Sequence, residues 1–394
     1  MKKLLSTLCS LVLMTGLSFA ATAPNLARIY VGTTKGIDIY NESSTGVLTL
    51  VKGSPFKAPA GLLVGVTGNN LVTMGTYLLH TYKLNATTGV PGAQESQINT
   101  ATYTNDCTQP APQTQGLASL NHKGTNVYVV FEVVPGNCAA TIQSYDISST
   151  GKLTFADSIL TGDNAGSGLF QTPAIMANGV FAFAGGDFSC CGGLEPSWSV
   201  YKLRSDGAEQ NYYGSNFTWD STTYKPVGFY PMYVTTDPTN HLAAIVAQND
   251  PNSIYGYLQG QLASYTVSST GNLSSTSTST NMPTPAIAVG CCVFGMQPLN
   301  MSPSGKILAV ASTNTTGGGV QVFHFNGAAP ITPYSRVLTS DPIGFIRWDN
   351  SNHLFAVGTT DHQIHSWYIT PTQILGGQMY VIPTGTPNAL VVVP

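Results

Sequence analysis

The sequence predicts an all-β protein, a seven-bladed β-propeller with four strands per blade, and three observations predict it. An aromatic residue in a short alternating strand, followed by a glycine turn, recurs seven times: Tyr40 and Gly46, Tyr82 and Gly89, Tyr145 and Gly151, Tyr201 and Gly207, Tyr265 and Gly271, Phe323 and Gly327, Trp367 and Gly376. Consecutive glycines of this series are 43, 62, 56, 64, 56 and 49 residues apart, a loose period that marks a repeat architecture. The chain also ends in an apolar segment, Pro387 to Pro394, with no hairpin partner of its own. A tight glycine turn after a period-2 strand is a hairpin signal. A ring of such repeats protects the sheet edges that would otherwise aggregate, and the orphan last strand completes blade 1 and closes the ring.

The elements follow in order. Residues 1–23 read as a secretory signal: Lys2 and Lys3, an apolar run from Leu4 to Phe19, then small residues through Ala23. The propeller occupies 24–394. Upstream of each aromatic strand lies a run rich in Val, Ile, Ala and Tyr without helical periodicity: Arg28–Thr33, Asn70–Thr76, Asn126–Glu132, Val180–Gly185, His241–Ala247, Lys306–Ser312 and His353–Thr359. Six of these follow a third run, starting near Gly61, Gly116, Thr172, Pro231, Gln297 and Ile343; only the first repeat lacks one. Blade limits fall near 27–58, 59–103, 115–163, 171–218, 230–284, 295–341 and 343–386. A pair of β-sandwiches is the competing architecture, but neither the aromatic-glycine repeat nor the unpaired last strand is expected of it.

Composition narrows the function classes. Charged residues are 8% of 394 against about 25% in an average soluble protein. With 15 basic and 18 acidic residues and no Lys/Arg cluster, the chain has no electrostatic footprint for nucleic acid. Beyond the leader no stretch approaches the ~20 apolar residues of a membrane helix. The expectation is an exported protein, periplasmic or extracellular. Its six cysteines after the leader, Cys107, Cys138, Cys190, Cys191, Cys291 and Cys292, then suit disulfides. Cys107 with Cys138 is one reasonable bridge; the two adjacent pairs can form strained vicinal rings, bridge each other, or stay as thiols. No zinc-type spacing is present.

The run Ile29-Tyr-Val-Gly, Ile37-Asp-Ile-Tyr40, Ser44-Thr-Gly-Val-Leu-Thr49 and Gly53-Ser-Pro-Phe56 resembles the lactonase-type seven-bladed propellers, the family of 6-phosphogluconolactonase and the muconate lactonising enzymes. Ser302-Pro-Ser-Gly-Lys-Ile-Leu-Ala-Val310 resembles the same family's inner-strand turn. These are blade motifs, and they specify fold rather than chemistry. The resemblance implies a funnel with acidic, histidine and arginine residues. Glu132 matches the acidic residue that ends the second strand of such a blade, which makes it the candidate general base. Where those enzymes carry basic partners, this chain has Gln115-Gly116, Gln171-Thr-Pro173 and Gln297-Pro298. Of four arginines only Arg347 falls on an inner strand, as a channel cation or a structural ion-pair partner.

Other catalytic signatures are absent: no G-x-S-x-G elbow, no H-E-x-x-H, no P-loop. His362 and His365 would point to opposite faces of a strand and so not share a metal. The funnel face, formed by the second-to-third-strand loops and the blade connections, gathers the cysteines, with Gln171, Asp187 and Gln297 as ligand-binding candidates. Residues 211–233 hold eight aromatics, among them Trp219 and Tyr224, a platform for a sugar, a flat ligand or a protein. The expectation is therefore a binding or scaffold module acting through the funnel face on a small molecule, glycan or protein. It needs no cofactor or metal and is capable of self-assembly. The alternatives are a lactone hydrolase using Glu132 and a structural subunit of an extracellular assembly.

Overall fold

The computed structural model describes residues 27–57, 62–75, 77–100, 117–131, 141–160, 173–185, 197–216, 229–248, 259–278, 280–289 and 298–393. The leader segment, all six later cysteines, Glu132, Gln171, Asp187, Trp219, Tyr224 and Gln297 lie outside the described residues. The described residues form seven antiparallel four-stranded sheets and no helix.

Blade 1 runs outward from β28 (Pro387–Val393) through β1 (Arg28–Thr33) and β2 (Gly36–Glu42) to β3 (Leu48–Leu50). Blade 2 is β4 (Leu62–Thr67), β5 (Asn70–Met74), β6 (Leu78–Leu84) and β7 (Pro91–Asn99). Blade 3 is β8 (Leu117–Leu120), β9 (Asn126–Phe131), β10 (Thr141–Ile147) and β11 (Leu153–Leu160). Blade 4 is β12 (Ala174–Ile175), β13 (Phe181–Gly185), β14 (Ser197–Leu203) and β15 (Glu209–Asn216). Blade 5 is β16 (Phe229–Thr236), β17 (His241–Gln248), β18 (Gln261–Val267) and β19 (Leu273–Ser274). Blade 6 is β20 (Leu299–Met301), β21 (Ile307–Ser312), β22 (Gly319–His324) and β23 (Thr332–Pro333). Blade 7 is β24 (Ile343–Trp348), β25 (His353–Gly358), β26 (Gln363–Thr370) and β27 (Gln373–Val381). The last described strand, β28, pairs antiparallel with the first, β1, Tyr30 opposite Val391, so strands far apart in sequence share one sheet.

The aromatic of each repeat is buried on its blade's third strand: Tyr145, Tyr201, Tyr265 and Phe323 have no exposed surface, and Tyr40, Tyr82 and Trp367 almost none. Apolar residues on facing strands of successive blades then form the core, as where Ile245 and Leu262 of blade 5 pack with Leu308 and Phe323 of blade 6. Burying such a side chain contributes roughly 2 kcal/mol.

At four junctions a hydroxyl ties one blade to the outer part of the next. Tyr30 Oη donates to Gly89 O at 3.0 Å, Thr81 Oγ1 to Gly151 O at 2.5 Å, Tyr128 Oη to Gly207 O at 2.5 Å, and Ser264 Oγ to Ala329 O at 2.9 Å.

One repeat differs from the sequence reading. Gly376 does not make the seventh hairpin turn: it lies inside β27 opposite Trp367, at a bulge, and the turn is Pro371-Thr372. The bulge kinks the outermost strand of blade 7 rather than ending it.

Candidate functional site: the central channel

The inner strands of all seven blades line a central channel of about 660 Å³. That volume is within the range of small-molecule sites. Its wall is mostly backbone and short side chains, because residues on an inner strand face the neighbouring blades. The wall hydroxyls are spent between blades: Ser119 Oγ donates to Pro173 O at 2.8 Å and Thr236 Oγ1 to Ile175 O at 2.9 Å.

Arg347 is the exception. It is the half-buried position of an otherwise buried β24 and lines the channel near the strand's end. Its Nη1 donates only to the carbonyl of its neighbour Ile346, at 2.8 Å. None of the ion pairs among the described residues includes it. Of the two roles open to it from sequence, Arg347 sits in the channel lining and outside the ion pairs of the described residues. Burial pulls its guanidinium down to about 10, which leaves it charged at neutral pH. Lys123 and His122, in the turn between β8 and β9, line the same channel, and no Asp or Glu among the described residues does. The sequence reading passed over these two. Their signal was a basic pair in an inner-strand turn, Asn121-His-Lys-Gly124.

Among the described residues, two clusters of a histidine with two carboxylates lie elsewhere in the ring. On the funnel side, His365 Nε2 lies 2.8 Å from Asp361 Oδ2 and 3.7 Å from Asp341 Oδ2. His362 does not share this site: it precedes β26 with a left-handed φ of 54°, and the pairing that forms is His365 with carboxylates. Thr339 Oγ1 donates to Asp341 Oδ2 at 2.6 Å and Asp361 accepts from Gln363 N at 3.2 Å, so these carboxylates hold the loop together. The second cluster, Glu42, Asp349 and His353, lies at the seam between blades 7 and 1. The hydrogen bond to Asp349 and the close carboxylate of Glu42 raise the His353 imidazole to about 9, and burial raises the Glu42 carboxyl.

No family profile matches the sequence, and no curated protein matches it. Solved structures do. A Lactobacillus plantarum protein superposes with a TM-score of 0.62 at 14% identity, covering 93% of this chain and 99% of its own. A Bacteroides fragilis protein provisionally named as a 6-phosphogluconolactonase gives 0.58 at 13% identity, covering 93% and 98%. The WD40 repeats of RRP9 give 0.52 at 6% identity over 85% of each chain. At these identities the likeness is one of fold. The chain is a seven-bladed β-propeller whose structural neighbours include a lactonase-like one.

Proposed function

We propose that this protein is a binding module whose central channel takes a small anionic ligand, a carboxylate or phosphate ester of sugar size, anchored by Arg347. The observation that carries this reading is the channel-facing guanidinium with no carboxylate beside it among the described residues. A guanidinium presents a planar fork of donors that matches a carboxylate or phosphate in two parallel hydrogen bonds. A partly desolvated cation strengthens such a contact, because the ligand supplies the charge that the protein does not. Lys123 in the same lining gives an entering anion further favourable potential, and His122 lies beside it.

The reading keeps the binding role expected from sequence and adds the channel to the funnel face. Export from the cytoplasm, disulfides among the six cysteines and the Trp219 and Tyr224 platform belong to the same proposal. The lactone-hydrolase alternative rests on Glu132 and on likeness of fold.

Calorimetric titration of the full chain with sugar acids, sugar phosphates, neutral sugars and lactones of matched size tests the reading. Acidic members should bind and neutral ones should not, and Arg347→Gln should weaken binding about tenfold or more, the worth of a charged hydrogen bond. Equal binding of neutral sugars, or no effect of Arg347→Gln, overturns the channel site. Lactone turnover that disappears in Glu132→Gln replaces binding with hydrolysis.

A further inference from the structure

The seven-fold repeat has one chemical anomaly. Two residues after the repeat's aromatic, six blades place a buried apolar side chain: Leu84, Ile147, Leu203, Val267, Phe325 and Ile369. Blade 1 places Glu42 there, with no exposed surface. A carboxylate at a core position is costly unless something compensates its charge.

The neighbouring blade answers it in part. In the turn between β24 and β25, Asp349 Oδ1 accepts from the backbone N–H groups of Ser351 and His353 at 2.8 and 2.6 Å, and Oδ2 lies 2.9 Å from His353 Nδ1. Blade 5 builds the same turn without a third acid. Asp237 accepts from Thr239 and His241 N–H groups at 2.9 Å each, and its Oδ2 lies 3.2 Å from His241 Nδ1. The Asp and His of blade 7 are thus an ordinary turn device, and Glu42 is the addition. Glu42 Oε1 lies 2.8 Å from the same Nδ1, a nitrogen with at most one hydrogen to give, while neither Glu42 oxygen has a hydrogen-bond partner of acceptable geometry.

We infer that Glu42, Asp349 and His353 form a divalent-cation site that rivets blade 7 to blade 1 at the seam where the ring closes. Three ligand atoms converge, two carboxylate oxygens and one imidazole nitrogen, on residues that are 0%, 1% and 8% exposed. The N···O separations of 2.8 and 2.9 Å are near the edge of an octahedron with metal bonds of ~2.1 Å, roughly 3.0 Å. Two oxygens and one imidazole suit zinc or manganese better than calcium, which takes six to eight oxygens. A 2+ ion with neutral imidazole cancels both carboxylate charges and uses the Glu42 oxygen that is otherwise orphaned. The ring of His353 is already fixed: it packs 5.4 Å from the Tyr368 ring, and a Cβ on Gly46 would lie 3.2 Å from its Nε2.

The test uses the full chain, stripped with chelator and dialysed, with Zn²⁺ as the first probe and Mn²⁺ as the second. Metal content and melting temperature are read for wild type, Glu42→Gln, Glu42→Leu and, as control, His241→Ala. Wild type and His241→Ala should each take up one ion per chain and melt higher with it than without. Both Glu42 variants should bind at least tenfold more weakly, the scale on which metal sites respond to lost support. Glu42→Leu restores the residue type of the other six blades, so it should still fold. No stoichiometric uptake of either ion by wild type, with an unchanged melting temperature, overturns the site and leaves a proton shared among the three groups. Uptake that Glu42→Leu retains undiminished also overturns it. Either result stands apart from the Arg347 channel, which none of these variants touches.

Discussion

Asn126 of blade 3 lies directly against Gly207 of blade 4, so that a Cβ on the glycine would fall 2.5 Å from the Asn126 amide carbon. Asn126 also donates from Nδ2 to Asp206 O at 2.9 Å and to Asp146 Oδ1 at 2.8 Å, which holds it in place. The same meeting recurs around the ring: Asn70 against Gly151, Phe181 against Gly271, His241 against Gly327 and His353 against Gly46. In these blades the first residue or so of the second strand thus seats against the outer hairpin of the next blade. Gly207 has a φ of +90° besides, so Gly207→Ala meets both backbone strain and overlap. It should cost about 3 kcal/mol, measured by denaturant midpoint. Gly179→Ala, at φ +69° but with open space, should cost only about 1 kcal/mol.

Tyr30→Phe should destabilise by roughly 1–2 kcal/mol. The hydroxyl donates to Gly89 O at 3.0 Å from a side chain 1% exposed, and its loss leaves a carbonyl unpaired between blades. Thermal melts of the two proteins at equal concentration check it.

His80 provides a pH dependence. Burial lowers its imidazole below the ordinary value of 6.5, with the hydrogen bond to Gln94 opposing in part. As pH falls through about 6.5 the unfolded chain takes up a proton that the native His80 refuses, so stability falls with it. His80→Gln should flatten this part of the stability curve below about pH 6.5, read by urea midpoints. A curve unchanged by the substitution would exclude His80 as its source.

The outer edge of blade 7 should mediate self-association. Leu375, Met379 and Val381 on β27 are 50%, 61% and 70% exposed, and the segment from Pro371 to Thr386 carries no charge. A long uncharged edge is a template for pairing with another strand. Concentration-dependent light scattering of the wild type should fall to the monomer value in Met379→Lys with Val381→Lys.

The fold was legible because a propeller writes its geometry into the chain as a period. Tyr145, Tyr201 and Tyr265 occupy one position of one unit, and the orphan Pro387–Val393 announced the strand that blade 1 lacked. Gly376 misled because a glycine at the expected spacing serves a bulge as well as a turn. The site was less legible for a different reason. Ligand-facing residues of a propeller come from different repeats, so Arg347 is separated from His122 and Lys123 by more than 200 residues and shares no local pattern with them. Glu42 hid in plain sight: its meaning appears only when the same position of the other six blades is known to be core.

The pairing of β28 with β1 also sets the order in which the molecule can be finished. During synthesis blade 1 stays three-stranded until Val393 has been added. Blades 2 to 7 are therefore made while blade 1 is still incomplete, an open arc that can close only once β28 has emerged. Loss of Pro387–Val393 would leave blade 1 with three strands and the arc open, however well each blade had folded.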